Sequence, residues 1–276
     1  AAGARTPMGG LQGDLSSLTA VELGEAAIRA VLARANLEGG AVDEVIMGCV
    51  LPSGLRQGPA RQAAIDAGIP VSVGATTINK LCGSGMKAAM LAFDQIKAGT
   101  NQIMVAGGME SMSRAPYLLP KVRTGLRMGH GELQDAMFTD GLEDAKTGRL
   151  MGAFAQDVAD QFQVTREDMD DYAIKSLQKA LAAIENDALT DEIVPVEIST
   201  RAGKVVISID EQPGKANLDK IKTLKPAFKA DGTVAAANSS SISDGASALV
   251  LASSDAVTSN GLKPLAKILG HSTHSR

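Results

Sequence analysis

Tryptophan is absent, and aromatic side chains make up only 3% of the 276 residues. So few rings cannot form a row of platforms for unpaired bases, which argues against single-stranded nucleic acid as a partner. A basic excess is also missing. The formal net charge is −4 and the isoelectric point is near 5.5, whereas a nucleic-acid binder usually carries a positive surplus. No apolar run approaches the ~20 residues that cross a bilayer, and no secretory leader opens the sequence. The expectation is therefore no membrane and no secretion. There are only two cysteines, Cys49 and Cys82. They form no CxxC pair, so a disulfide framework or a zinc site is not expected, and a reducing compartment fits.

Hydrophobic residues reach 45% and charged residues 21%, so a core of Ala, Val, Ile, Leu and Met has to be built from closely stacked helices and strands. The length suits one large domain or two modest ones. Helix and strand patterns alternate over the first third. Thr19-Ala-Val-Glu22 reads as a capping box ahead of Leu23, Ala27 and Val31 on one helical face. Val45–Leu51 reads as a buried strand, and Pro59 starts a second helix. Thr76–Leu81 reads as a strand that runs into Cys82-Gly-Ser-Gly85. A third helix follows, with Met86, Ala89, Met90, Phe93 and Ile96 expected to face inward, and then a strand from Gln102. That rhythm predicts an α/β fold whose sheet has helical cover. Residues 112–165 break it and read as an insertion. Thr165-Arg-Glu-Asp168 caps a long helix, Ile193–Ser199 and Lys204–Ile209 read as a hairpin, and strands are expected at Ala248–Ala252 and Leu265–Leu269.

Cys82 stands between a strand and a helix. The unpaired N–H groups at such a helix start favour a thiolate, and they can hold the oxyanion formed when a thioester carbonyl is attacked. Gly83 and Gly85 are expected to let the chain turn sharply there. Cys49, placed mid-strand, reads as a structural residue. Residues 213–230 carry Lys215, Lys220, Lys222, Lys225 and Lys229 against Asp219, a basic stretch suited to a phosphorylated ligand or simply to solvent.

Asn79-Lys-Leu-Cys-Gly-Ser-Gly-Met-Lys-Ala88 resembles the nucleophile motif of the thiolases. Ala106-Gly-Gly-Met-Glu-Ser-Met-Ser113 resembles the segment where their N-terminal domain passes into a loop domain. Ala4-Arg-Thr-Pro-Met-Gly-Gly10, Asp191-Glu-Ile-Val-Pro195, Leu224-Lys-Pro-Ala-Phe228 and Ala237-Asn-Ser-Ser240 match in order. The resemblance spans essentially the whole sequence. It implies a layered α/β domain, a mixed sheet covered by helices, made of residues 1–111 and 234–276. An inserted α+β loop domain, 112–233, would bind coenzyme A. It also implies a ping-pong acyl transfer: reversible Claisen condensation of acetyl-CoA, or thiolysis of a 3-ketoacyl-CoA, through an acyl group on Cys82. CoA and acyl-CoA are then substrates, no permanent cofactor or metal is expected, and a homo-oligomer, dimer or tetramer, is.

By the same resemblance Leu142 and Met151 line a pantetheine channel, and Phe228, Ala236, Ala237 and Ser240 contact pantetheine or adenosine. Lys220 and Lys222 are candidate contacts of the CoA phosphates. The compartment implied is the cytoplasm, or a mitochondrion or peroxisome in a eukaryote. Some positions depart from the family pattern: Leu150 stands where many short-chain members have histidine, and Ser239-Ser-Ser-Ile-Ser243 replaces a more common Ala-Ser-Gly-Ile-Asn. The family's second α/β domain supplies a Gly-His-Pro histidine, an Asn-Glu-Ala-Phe motif and a second cysteine. None of these motifs occurs in the 276 residues, so the expectation is that this chain alone is incomplete for turnover. Gly270-His271-Ser272 resembles Gly-His-Pro only superficially. The other readings that remain open are a ketoacyl synthase or hydroxymethylglutaryl-CoA synthase of the same superfamily, and a noncatalytic CoA-binding fragment.

Overall fold

The computed structural model describes residues 1–274. In chain order, β1 (Ala2–Arg5) and the two-residue β2 (Gly9–Gly10) lead to α1 (Ala20–Ala35). The capping box forms as the sequence predicts. Thr19 Oγ1 accepts from the Glu22 N–H at 3.2 Å, and the Thr19 N–H donates to the Glu22 carboxylate at 2.7 Å. Asn36, in the left-handed region at φ 50°, closes the helix. Next come β3 (Glu44–Gly48), α2 (Pro59–Asp66), β4 (Gly74–Ile78), α3 (Ser84–Lys97) and β5 (Ile103–Ser111).

The chain then leaves the sheet. The two-residue strands β6 (Tyr117–Leu118) and β7 (Gln134–Asp135) pair with each other. The helices α4 (Met151–Gln161) and α5 (Arg166–Glu185) follow, then the hairpin β8 (Val196–Thr200) and β9 (Gly203–Ile207), and the short α6 (Glu211–Lys215). β10 (Ser243–Ala252) returns to the sheet and α7 (Ser254–Ser259) follows it.

The main sheet has the order β1-β10-β5-β3-β4, with β2 beside the start of β10. β3 lies parallel to both β4 and β5, while β10 runs antiparallel to β5 and β1. The sheet is therefore mixed, as expected. Strand alternation decides which helix each residue meets. Val45 and Met47 join Leu23, Ala27, Ile28 and Val31 of α1 and Ala60 and Ala63 of α2 in one buried cluster. Ile46 points the other way and packs with Ala88 and Ala92 of α3, Met104, Ala106 and Leu251. Val196 and Ile198 of the hairpin are buried in the α1-side cluster with Ala2 and Ala4. Although the hairpin belongs to the excursion between β5 and β10, it packs on the sheet domain.

Three expectations need correction. The inward face of α3 is Ser84, Ala88 and Ala92, with Ala89, Phe93 and Ile96 half-buried, whereas Met86 is 69% exposed. Small side chains bring the helix close to the sheet, so the larger ones tilt outward. No strand forms over Leu265–Leu269. Leu265 and Leu269 are exposed, and among the described residues no neighbouring strand offers this segment a ladder of backbone partners. β3 ends at Gly48, so Cys49 follows the strand rather than lying within it.

Candidate active site

β4 ends at Ile78 and α3 starts at Ser84, so the connection has only Asn79–Gly83 in which to reverse direction. Side chains tie that turn down. The Asn79 carboxamide oxygen accepts from the Leu81 N–H at 2.9 Å, and its Nδ2 donates to the Val50 carbonyl at 3.3 Å. Ser84 Oγ accepts from the Lys80 N–H at 2.8 Å and donates to the Leu81 carbonyl at 2.5 Å. The left-handed residue is Leu81, at φ 49°. Gly83 sits at an ordinary φ of −85° and Gly85 is helical, so the expectation that these two glycines make the turn is not met. A non-glycine residue held left-handed costs about 1 kcal/mol or more, which the surrounding hydrogen bonds must offset.

The glycines serve approach instead. A Cβ on Gly48 would lie 2.5 Å from Ser84 Cβ and 2.8 Å from the Gly85 nitrogen, and a Cβ on Gly108 would lie 3.2 Å from Gly85 Cα. The start of α3 is thus seated directly on the ends of β3 and β5, and Cys82 is carried with it, exposed. No side chain caps α3. The Ser84 N–H donates to the Leu81 carbonyl at 2.9 Å and the Lys87 N–H to the Gly83 carbonyl at 2.8 Å, which leaves the N–H groups of Gly85 and Met86 available in the first turn.

Cys82 lines a cavity of about 450 Å³ together with Gly48, Val50, Leu51, Leu81, Gly85, Gly108, Met109, Glu110, Leu142 and Ser243. The sheet end and the excursion between β5 and β10 both contribute walls. Leu142 is therefore brought to Cys82, although sixty positions separate them in sequence. Ala236, Ala237, Ser240 and Lys220 lie together on a second, larger groove against α5. Phe228 shares a third with Ala236 and Ser240. The Ser239–Ser241 strip lines both of these grooves, and Ser243, two residues on, lines the Cys82 cavity. Met151, 43% exposed, lines none of the three. It precedes Gly152, where a Cβ would run into the Phe228 ring, so Phe228 stacks on the first turn of α4.

The basic stretch is largely neutralised. Lys222 pairs with Asp171 at 2.9 Å, Lys229 with Asp160 at 2.9 Å, and Lys215 with Glu211. Lys220 and Lys225 make no ion pair among the described residues. The second cysteine is unlike the first. Cys49 is buried, 1% exposed. Burial, reinforced by the Glu110 carboxylate, pushes its thiol up to about 12. Among the described residues no histidine lines the cavity. His271 Nε2 lies 2.8 Å from Asp94 in the last turn of α3, about 15 Å along the helix from the Cys82 end.

Sequence reasoning passed over Glu110, Gly48 and Ser243 as site residues. A signal for Glu110 existed, because it is the one charge in the otherwise apolar run Ile103–Ser111. Among the described residues no group of three or more His, Cys, Asp or Glu side chains could hold a metal ion, and no helix is long and apolar enough to cross a membrane.

The family model described as thiolase, N-terminal domain, matches residues 1–255. Acetyl-CoA acetyltransferase 2 of Arabidopsis thaliana is 52% identical over 271 residues, 97% of this chain and 67% of that protein. The acetyl-CoA acetyltransferase of Pseudomonas aeruginosa is 47% identical, over 99% of this chain and 70% of its own length. Among solved structures, the Acat5 thiolase from Ascaris suum in complex with coenzyme A superposes with a TM-score of 0.90 at 41% identity, covering 95% of this chain and 67% of that one. The acetyl-CoA acetyltransferase from Syntrophomonas wolfei superposes with a TM-score of 0.92 at 40% identity, covering 96% of this chain and 66% of that one. The chain thus spans about two thirds of the length of these relatives.

Proposed function

The chain belongs to the thiolase family, and we propose that it is the nucleophile-bearing part of an acetyl-CoA acetyltransferase, with Cys82 as the acyl acceptor. One observation carries the reading. Cys82 is the exposed cysteine, it sits at the uncapped start of α3, and it opens into a cavity of mostly apolar walls. In the step this chain's residues support, the Cys82 thiolate adds to the carbonyl carbon of an acyl-CoA. The new S–C bond forms and an electron pair moves to the carbonyl oxygen, where the Gly85 and Met86 N–H groups in the first turn of α3 can stabilise it. Collapse breaks the bond to the CoA sulfur, and CoA leaves with the proton that Cys82 gave up. Storage as a thioester makes this exchange nearly isoenergetic.

Condensation with a second acetyl-CoA needs a base to remove a methyl proton, an assistance worth roughly 100- to 10,000-fold. No histidine lines the cavity among the described residues, so we assign that base to the share of the relatives' length that this chain does not span. Residues 112–233 act in this reading as the CoA-holding domain. The Ser239–Ser241 strip leads the pantetheine arm towards Cys82, past Ala236, Ala237 and Phe228, and Leu142 closes over the acyl end. Met151 contributes only through its place beside Phe228, and Lys220 rather than Lys222 is the free cation for a CoA phosphate. The active assembly is a homo-oligomer.

The test is direct. The chain is incubated with acetyl-CoA, quenched and digested. A single acetyl group is expected on the peptide holding Cys82, lost in Cys82→Ser and retained in Cys49→Ser. An acetylated Cys49, or no adduct at saturating acetyl-CoA, would overturn the assignment.

A further inference from the structure

Glu110 is the only carboxylate among the residues lining the Cys82 cavity. It stands near the end of β5, facing the turn that follows β3. The Val50 N–H donates to its Oε2 at 2.7 Å, the Leu51 N–H to its Oε1 at 3.1 Å, and the Cys49 thiol to the same Oε1 at 3.7 Å. Val50 and Leu51 are themselves walls of the cavity. Leu51 also reaches the excursion, since a Cβ on Gly141 would lie 3.6 Å from Leu51 Cδ2, next to Leu142. One carboxylate thus ties a wall of the cavity to the strand that carries Gly108.

We propose that Glu110 is a positioning residue, whose carboxylate fixes the Cys49–Leu51 turn as the wall against which the acyl group bound for Cys82 is aligned. The inference rests on the reading of Cys82 as acyl acceptor. It follows from donor counting. Two backbone N–H groups point at two different oxygens, and an ionised carboxylate accepts strongly at both because it carries no donor of its own. A glutamine sets an NH2 donor against one of those N–H groups, and a protonated glutamate offers one of them only a weakly accepting hydroxyl, so the hold on the turn loosens. Burial raises the carboxyl pKa, opposed by the bonds from Val50 and Leu51, so this release begins at a higher pH than for an exposed glutamate. The titratable group facing it is the Cys49 thiol. Arg5, which lines the same cavity, is engaged with Asp210 at 2.7 Å and Glu192 at 2.6 Å.

The experiment uses the full chain as wild type, Glu110→Gln and Glu110→Asp. Acetylation of Cys82 by acetyl-CoA and its alkylation by iodoacetamide are followed by intact mass across pH, with amide hydrogen exchange at Val50 and Leu51. The ratio of the two rates cancels the thiolate fraction. In the wild type the ratio should fall on the acid side as Glu110 takes a proton. In Glu110→Gln it should be low by about tenfold and flat, the size expected of a reacting group held slightly out of line. Glu110→Asp should recover part of it, and the two amides should exchange faster in Glu110→Gln. Unchanged exchange, or faster exchange with an unchanged ratio, overturns the inference while leaving Cys82 as acceptor. A wild type that alkylates but never acetylates overturns the acceptor reading, and this inference with it. If Glu110→Gln does not fold, a wild-type ratio that stays level through the acid range overturns it by itself.

Discussion

Cys49 and Cys82 stand just beyond the ends of two paired strands, β3 and β4, yet their chemistry is opposed. Cys82 is exposed at a helix start, whereas Cys49 is sealed in the core and donates to a carboxylate. Iodoacetamide should therefore modify Cys82 in the native chain and reach Cys49 only after denaturant is added, as peptide mapping would report. Equal native labelling would contradict the burial. Cys49 should also leave a mark on stability. Its thiol is raised from 9.0 to about 12, by burial first and then by Glu110. The unfolded chain therefore loses this proton in a range where the folded chain keeps it. The stability it contributes is complete below about pH 9 and is lost as pH climbs towards 12, with a slope of up to about 1.4 kcal/mol per pH unit. Urea midpoints of wild type and Cys49→Ala between roughly pH 9 and 11 should converge as pH rises. Parallel curves would show that Cys49 titrates alike in both states.

At the scale of the element, the site depends on how near α3 comes to the sheet. Ala88 and Ala92 are fully buried under it, and Gly48 faces Ser84 with no room for a methyl group. Gly48→Ala must push the helix start away. It should cost about 1–3 kcal/mol as an overpacked core does, and slow Cys82 acetylation because the thiol moves with the helix. Gly83→Ala is the contrast. Its new Cβ would meet only the Lys80 carbonyl, at 3.4 Å, and its backbone is already ordinary, so both stability and acetylation should stay near wild type. Thermal melts alongside the acetylation rate separate the two cases. A tolerant Gly48→Ala would mean that α3 is seated loosely.

For the molecule as a whole, the decisive feature is that β5 and β10 are neighbours in the sheet although residues 112–242 separate them in the chain. Whatever that excursion binds is thereby delivered to the end of the sheet where Cys82 sits. Among the described residues, ion pairing across its surface leaves Lys220 unpaired on the groove with Ala236, Ala237 and Ser240. Lys220→Glu should weaken CoA about fivefold, the order of one exposed ion pair, and weaken dephospho-CoA less. Lys222→Ala should change neither much, because Asp171 already holds that charge. Calorimetric titration with both ligands reads this. Equal losses for the two ligands would mean that Lys220 does not meet the ribose phosphate.

Local signals were enough for most of the elements and for a candidate nucleophile. The capping box at Thr19, Pro59 at a helix start, strand-then-helix periodicity around Cys82 and the run of matching motifs are all short-range, so the sequence by itself determined the α/β class and the family, and it singled out Cys82 as the candidate nucleophile. It could not determine what depends on residues distant in the chain. Glu110 meets Val50 and Leu51 across some sixty positions, and Lys222 meets Asp171 across about fifty. Gly48 matters because Ser84 is placed on it. The segment 265–269 has a strand's composition but no strand beside it among the described residues. Hydrogen-bond donors, counter-charges and excluded volume act through space, so only the tertiary structure decided which lysines are free, which glycine has no room for a side chain and which carboxylate shapes the pocket.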